Sequence, residues 1–280
     1  MLTYTSARTL LGTLSGDSGA ANLLTLDNLH NEGIRKVVTS KPWPFRQAYR
    51  TQDTETDNIH QLPNDCGKVV KITVTIGSTK YTPRRVKSLE EWSHITQSTN
   101  TTSNIPEAVF IFGKTFSFYP AVSSATVGAV TVSYQREHKD LSIADYTAGT
   151  ITSITNGATT VTGSSTVWTA QMAGRYIRIT DSNTANTGDG YWYEIASVTS
   201  ATILELKAPY NGTTIAAGTA AYTIGQTSLI PEDHQMTPLH DALYNYFTYI
   251  QPEPPRAQLA KNAFEDGLRR MNTELGSTAV

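Results

Sequence analysis

Gly67-Lys68-Val69-Val70-Lys71-Ile72-Thr73-Val74-Thr75-Ile76 decides the class of the fold. Along it Val70, Ile72, Val74 and Ile76 alternate with polar residues, the period of a strand that buries one face. The sixty residues before it read as helical. A short helix is predicted over residues 5–14, broken by Gly16-Asp17-Ser18-Gly19. A second carries Leu26, Leu29, Ile34, Val37 and Val38 at roughly helical spacing. Pro42 and Pro44 end it, since proline cannot continue a helix and restricts the residue before it.

Downstream of Ile76 the strand period continues, with one interruption. A short amphipathic helix is expected around Leu89, Trp92 and Ile95. Residues 108–112 and 115–119 form a predicted hairpin about Gly113-Lys114, and 129–134 a further strand. From 148 to 226 the chain turns Thr-, Ser-, Gly- and Ala-rich, with turn signals at Asn156-Gly157, Gly188-Asp189-Gly190 and Asn211-Gly212. Strands are predicted at 150–154, 158–162, 175–180, 191–199, 202–207 and 220–225. Trp168, Tyr176, Ile177, Trp192, Leu204 and Tyr222 are among the residues able to fill a small barrel or sandwich. Helix then returns: Leu239, Ala242, Leu243, Tyr246, Phe247 and Ile250 form one apolar stripe. Pro252, Pro254 and Pro255 close that helix, and a last one runs over 256–275 with Ala260, Phe264, Leu268, Met271 and Leu275 along one side.

The predicted class is therefore α+β. Residues 1–60 and 229–280 make a terminal helical bundle, and 61–147 a β-sandwich-like unit with a short helix. Residues 148–228 make an inserted small all-β barrel module.

Composition narrows the function. Hydrophobic residues make up 39% of the 280 and charged residues only 16%, which suits β modules with hydroxyl-bearing surfaces. The net charge of −2 supplies no global basic field for nucleic acid. The most basic stretch, Lys80-Tyr81-Thr82-Pro83-Arg84-Arg85-Val86-Lys87, reads as a solvated loop. Cys66 is the one cysteine, so neither an intrachain disulfide nor a cysteine-based zinc site can form. The first residues have neither the basic nor the apolar region of a secretory signal, and no apolar run approaches the ~20 residues of a membrane span. No membrane association is expected.

No stretch carries catalytic chemistry. Gly16-Asp17-Ser18-Gly19 resembles the nucleophile segment of chymotrypsin-like proteases, but no histidine precedes it. Gly113-Lys114-Thr115 mimics the end of a phosphate-binding loop, yet Ala108 stands where a glycine is needed and a strand pattern follows. His234 and His240, with Glu232, Asp233 and Asp241, are the nearest approach to a metal set; an acid-rich helix start explains them as well. No cofactor and no metal are expected, and the chain reads as a non-enzyme. Tyr244 and Tyr249 fall off the apolar stripe of their helix, which makes them interface candidates.

The order of elements resembles phage head-to-tail adaptor (connector) proteins, including the tail tubular protein A class of short-tailed phages. The resemblance rests on Lys41-Pro42-Trp43-Pro44-Phe45 after the helix pair and Gln61-Leu62-Pro63-Asn64-Asp65 before the first strand. It extends to Trp168 through Tyr176, to Ser197-Val198-Thr199-Ser200-Ala201-Thr202, and to Leu229-Ile230-Pro231-Glu232-Asp233-His234. It implies a virion structural protein of the neck, assembled in the host cytoplasm. Such a protein forms a homo-oligomeric ring, usually dodecameric, between the portal protein and tail or nozzle proteins. Genomic DNA passes through its lumen without sequence-specific binding. Interface residues are then expected at Trp43, Phe45, Tyr244 and Tyr249, and at Leu275, Gly276 and Ser277, where the C-terminal tail orders against the portal. The alternative is a receptor- or carbohydrate-binding phage tail protein, with Trp168, Tyr191, Trp192 and Tyr193 stacking on sugars.

Overall fold

The computed structural model describes residues 1–55, 57–97, 105–122, 129–180, 188–216 and 219–276. The described chain forms two compact units: 38–138 is one, and 1–37 with 139–276 is the other.

The second of these opens with two helices, α1 (Tyr4–Ser15) and α2 (Ala20–Thr39). The Thr3 hydroxyl caps α1 by accepting from the Ser6 N–H, and Gly16 ends it at φ +75°, a conformation glycine adopts without a Cβ penalty.

The 38–138 unit follows. Its elements are β1 (Gln47–Gln52), β2 (His60–Gln61), β3 (Cys66–Ile76), β4 (Thr79–Tyr81), β5 (Arg84–Val86), α3 (Leu89–Gln97), β6 (Ala108–Phe112), β7 (Thr115–Tyr119) and β8 (Val130–Arg136). They make two four-stranded sheets, ordered β1-β8-β3-β4 and β2-β7-β6-β5. Ile72, Val74, Val130, Val132 and Tyr134 of the first meet Val109, Phe116 and Phe118 of the second in one core, a β-sandwich.

Three expectations are corrected here. The helical reading of the first sixty residues holds only to Thr39; Gln47–Gln52 is a strand. That segment has no strand period of its own and is extended because it pairs with β8 from Gln47↔Gln135 to Gln52↔Val130. The stretch from Lys80 to Lys87 supplies strands β4 and β5 rather than a solvated loop. The third concerns β3. Val70 does not share the buried face of Ile72 and Val74: it is 63% exposed, against 4% and 0%. The register against β8 shifts between Cys66 and Lys68 and again between Val69 and Lys71. Each shift is a β-bulge, in which an extra residue reverses the alternation. Cys66, Val69, Ile72 and Val74 therefore turn inward, and Lys68, Lys71, Thr73 and Thr75 outward.

The chain from 139 returns to the unit of α1 and α2 and builds β9 (Thr150–Ile154), β10 (Thr160–Ser164), β11 (Tyr176–Ile179), β12 (Trp192–Ser200), β13 (Ile203–Leu206) and β14 (Tyr222–Gly225). These form one sheet, ordered β14-β11-β12-β13-β10-β9. The sheet curls, and the bridges Ile151↔Ala220 and Ile154↔Ile215 join its first strand to the segment leading into its last. Trp168, Ile177, Tyr193, Leu204 and Tyr222 are among the residues filling it. The Trp168 indole N–H donates to the Tyr222 hydroxyl at 2.9 Å, satisfying a buried donor.

Helices α4 (Met236–Asn245) and α5 (Pro254–Leu275) follow, joined by a π-helical turn over Tyr246–Ile250. The prolines at 254 and 255 begin α5 rather than precede it, because the first turn of a helix has no N–H to lose. Ala7, Leu11, Leu26, Leu239, Leu243, Phe247 and Ala260 form the bundle core. A Cβ added at Gly33 would lie 2.7 Å from the Pro238 carbonyl oxygen, and one at Gly267 would lie 2.4 Å from the Thr237 hydroxyl. α2 and α5 thus each approach α4 at a glycine. The curled sheet is tied to the bundle through Thr3, which bridges Thr227 and donates its hydroxyl to Asp145 at 2.7 Å.

Candidate functional site

The motifs that resemble catalytic segments are structural. Gly16-Asp17-Ser18-Gly19 is the turn between α1 and α2. The Asp17 carboxylate accepts from the Gly19 N–H at 3.0 Å, from the Tyr246 hydroxyl at 2.8 Å and from Asn22. Those donors, the Gly19 amide first, hold its carboxyl below the usual range. Gly113, at φ +60°, turns the β6–β7 hairpin, and Lys114 donates to the Cys66 carbonyl at 2.8 Å. Cys66 itself is buried, and burial pushes its thiol up, away from reactive thiolate.

His234 and His240 do not converge on a metal site. His234 Nε2 lies 3.0 Å from Glu274 Oε2, and burial lowers the pKa of His240, which favours its neutral ring. Among the described residues no group of three His, Cys, Asp or Glu could hold a metal ion. The buried Asp241 carboxylate is paired with the exposed Lys36 at 2.6 Å, and the Lys36 ammonium also lies 4.6 Å from the centre of the Phe264 ring. It joins α2, α4 and α5.

What the protein offers instead is surface. At one end of the bundle Tyr249 (74% exposed), Ile250 and Leu259 leave apolar area in solvent beside the π-helical turn. Arg256, over the Phe247 ring at 4.4 Å, donates to the Leu14 carbonyl at 2.8 Å and closes that end against α1. Tyr244 is half-buried against the bundle core. In the sandwich unit Trp43 is 1% exposed and stacks on Phe45 with ring centroids 5.7 Å apart, so of this pair Phe45 retains the accessible surface. Leu275 ends α5 and Gly276 caps it. Ser277 lies outside the described residues.

The sugar-stacking set does not assemble. Trp168 and Tyr193 are core residues, and the Trp192 ring lies under the Arg178 guanidinium at 5.2 Å. Only Tyr191 of the four is freely exposed.

A second surface was missed from sequence. The outward face of the β1-β8-β3-β4 sheet carries rows fixed by the register. They are Gln47, Gln135 and Lys68; Tyr49, Ser133 and Lys71; Thr51, Thr131 and Thr73; then Thr75 with Lys80. The four strands contain Arg50, Lys68, Lys71, Lys80 and Arg136 and no acidic residue. A shallow depression lined by Gln47, Tyr49, Val70 and Ser133 runs along it. The signal was Gly67 within a strand pattern, which marks a bulge, and the Val69-Val70 doublet, which breaks strict alternation.

A family model described as SU10 adaptor protein matches residues 2–156, more than half of the chain. The match covers α1, α2, the whole sandwich and β9; the rest of the curled sheet, α4 and α5 lie beyond it. Comparison with curated proteins gives no match. No helix among the described residues is long and apolar enough to cross a membrane. The matched family is one of phage structural adaptors, components of the virion neck. The chain belongs to the SU10 adaptor protein family.

Proposed function

We propose that the protein is a head-to-tail adaptor similar to the tail tubular protein A class. It closes into a homo-oligomeric ring of twelve copies between portal and tail proteins, and that ring lines the channel through which genomic DNA leaves the capsid. It is assembled in the host cytoplasm. The observation that carries this reading is the family match over the helix pair and the sandwich. The helical bundle of α1, α2, α4 and α5 forms the wall of the ring, and the module 148–228 is an insertion at its periphery. A ring requires two different faces of one subunit to meet, because rotation rather than a two-fold axis relates neighbours. Tyr249 with Ile250 and Leu259 supplies an aromatic, apolar patch suited to one of them. Tyr244 and Phe45 extend the contact set, Trp43 backs Phe45, and Leu275, Gly276 and Ser277 lead into a tail that meets the portal.

Mass measurement on the protein alone and mixed with the cognate portal tests this. Monomers alone and rings with portal are expected, with Tyr249→Ala weakening assembly about tenfold or more, as loss of an interface anchor does. A constitutive trimer, or no ring with portal, would overturn the reading.

A further inference from the structure

We infer that the outward face of the β1-β8-β3-β4 sheet is a contact surface for the phosphate backbone of duplex DNA, with Lys68, Lys71 and Lys80 as its charges. The inference deepens the channel reading above and rests on it for its biological setting, but not for its physical basis.

Three observations converge. First, the bulge at Val70 is what creates the face. In an unbroken strand Lys68 and Lys71 would point to opposite sides; here both face outward, opposite Gln135 and Ser133. These are adjacent rows, ~7 Å apart along the strand. Lys80 continues the line on the neighbouring strand, opposite Thr75.

Second, these ammonium groups are uncommitted. Arg35 is paired with Asp140, Lys36 with Asp241, Arg84 with Glu91 and Lys207 with Glu194. Lys68, Lys71 and Lys80 make no ion pair among the described residues, and all three are exposed.

Third, what surrounds them suits phosphate rather than protein. Tyr49, Thr51, Thr73, Thr75, Thr131 and Ser133 are hydroxyl donors, the residue types that hydrogen-bond phosphate oxygens. Protein interfaces, in contrast, are depleted in lysine and serine. The charge bias extends to the whole unit: residues 38–138 hold eleven Lys and Arg against eight Asp and Glu, in a chain whose net charge is −2. Contacts to the phosphate backbone carry no sequence information, so binding of this kind is indifferent to sequence, as a channel requires.

The test uses the full-length protein and a fluorescein-labelled 30-base-pair duplex of arbitrary sequence, with anisotropy followed across NaCl concentrations. Three neutralised phosphates give a slope of log affinity against log salt of about −2.7, or roughly 40-fold between 50 and 200 mM. The triple variant Lys68→Gln, Lys71→Gln, Lys80→Gln should lose about that slope and bind at least tenfold more weakly at 50 mM. A control of equal charge change, Lys139→Gln, Lys261→Gln, Arg270→Gln, should bind as the parent does. An unchanged melting temperature establishes that the sheet variant is folded. Equal loss in both variants would overturn the inference, since net charge alone would then explain binding. So would zero-length cross-links from these lysines to acidic residues of a second copy, which would make the face a subunit contact. Rings that form with portal while duplex affinity ignores the three lysines would sink this inference and leave the adaptor reading standing; lysine-dependent affinity without rings would do the reverse.

Discussion

The sandwich of 38–138 and the curled sheet of 150–225 are built from similar strands and finish them differently. In the curled sheet several charges are spent internally: Lys207 with Glu194 at 2.9 Å, Glu205 with the hydroxyls of Thr159 and Thr160, and Asp189 with Tyr193. Its strand ends are drawn together by bridges to the 215–220 segment, and its aromatics are buried. The sandwich shares one core between two sheets and leaves Lys68, Lys71 and Lys80 on one sheet face without an ion pair among the described residues. A sheet that turns most of its acids on its own hydroxyls and ammonium groups leaves few of them for a partner. One that leaves a coherent set unsatisfied is presenting it to something else.

That contrast can be attacked from several sides. The largest effect is expected in the curled sheet. Trp168→Ala removes a 3%-exposed ring and the hydrogen bond that it donates to the Tyr222 hydroxyl, at a cost of about 3–5 kcal/mol. Amide exchange should show protection lost in β9–β14 and retained in β1–β8; equal loss in both would mean that the two β regions unfold as one. Next comes the paired test of the bulge. Ile72→Ala should destabilise by about 2–5 kcal/mol and Val70→Ala by no more than about 0.5 kcal/mol, read from urea midpoints. Equal costs would restore the unbroken alternation and abolish the lysine face.

The smallest effect concerns acid. His60 is fully buried between Phe116 and Phe118, with ring centroids 5.0 and 5.1 Å away, and its Nε2 accepts from the Glu55 N–H at 3.1 Å. Burial holds its pKa below the ordinary 6.5. The unfolded chain therefore takes up a proton that the folded one refuses, and stability falls as pH drops below about 6.5 toward the folded value. His240 contributes in the same direction from the other unit. The sandwich share is isolated by His60→Gln, whose urea midpoint should depend less on pH between 7.5 and 5 than that of the parent. An unchanged pH dependence would show that His60 is already solvated.

Much of this architecture is written in local pattern. Gly16, Gly113 and the prolines after Lys41 mark chain reversals because their backbone chemistry dictates them. The 108–112 and 115–119 hairpin and the six strands of the curled sheet announce themselves by alternation and turn residues. What escaped was imposed from elsewhere in the chain. Gln47–Gln52 is extended only because β8 lies beside it, and no residue within it says so. The outward turn of Lys71 depends on which partner residue is skipped, a property of the pair β3–β8 rather than of either strand. Trp43 looked like an exposed aromatic at a chain reversal; it is buried, leaving Phe45 accessible. Surface function follows from register, and register is the least local thing a strand has.

The unit made from both ends of the chain sets a schedule for synthesis. Helices α1 and α2 leave the ribosome about 200 residues ahead of α4, whose Leu239 and Leu243 cover Leu11 and Leu26. At ~5–20 residues per second their greasy stripe waits ~10–40 s for its lid. The nascent helix pair thus keeps its apolar stripe uncovered, while the sandwich, continuous in sequence, can mature during the delay. The bundle core closes only once α4 and α5 have emerged.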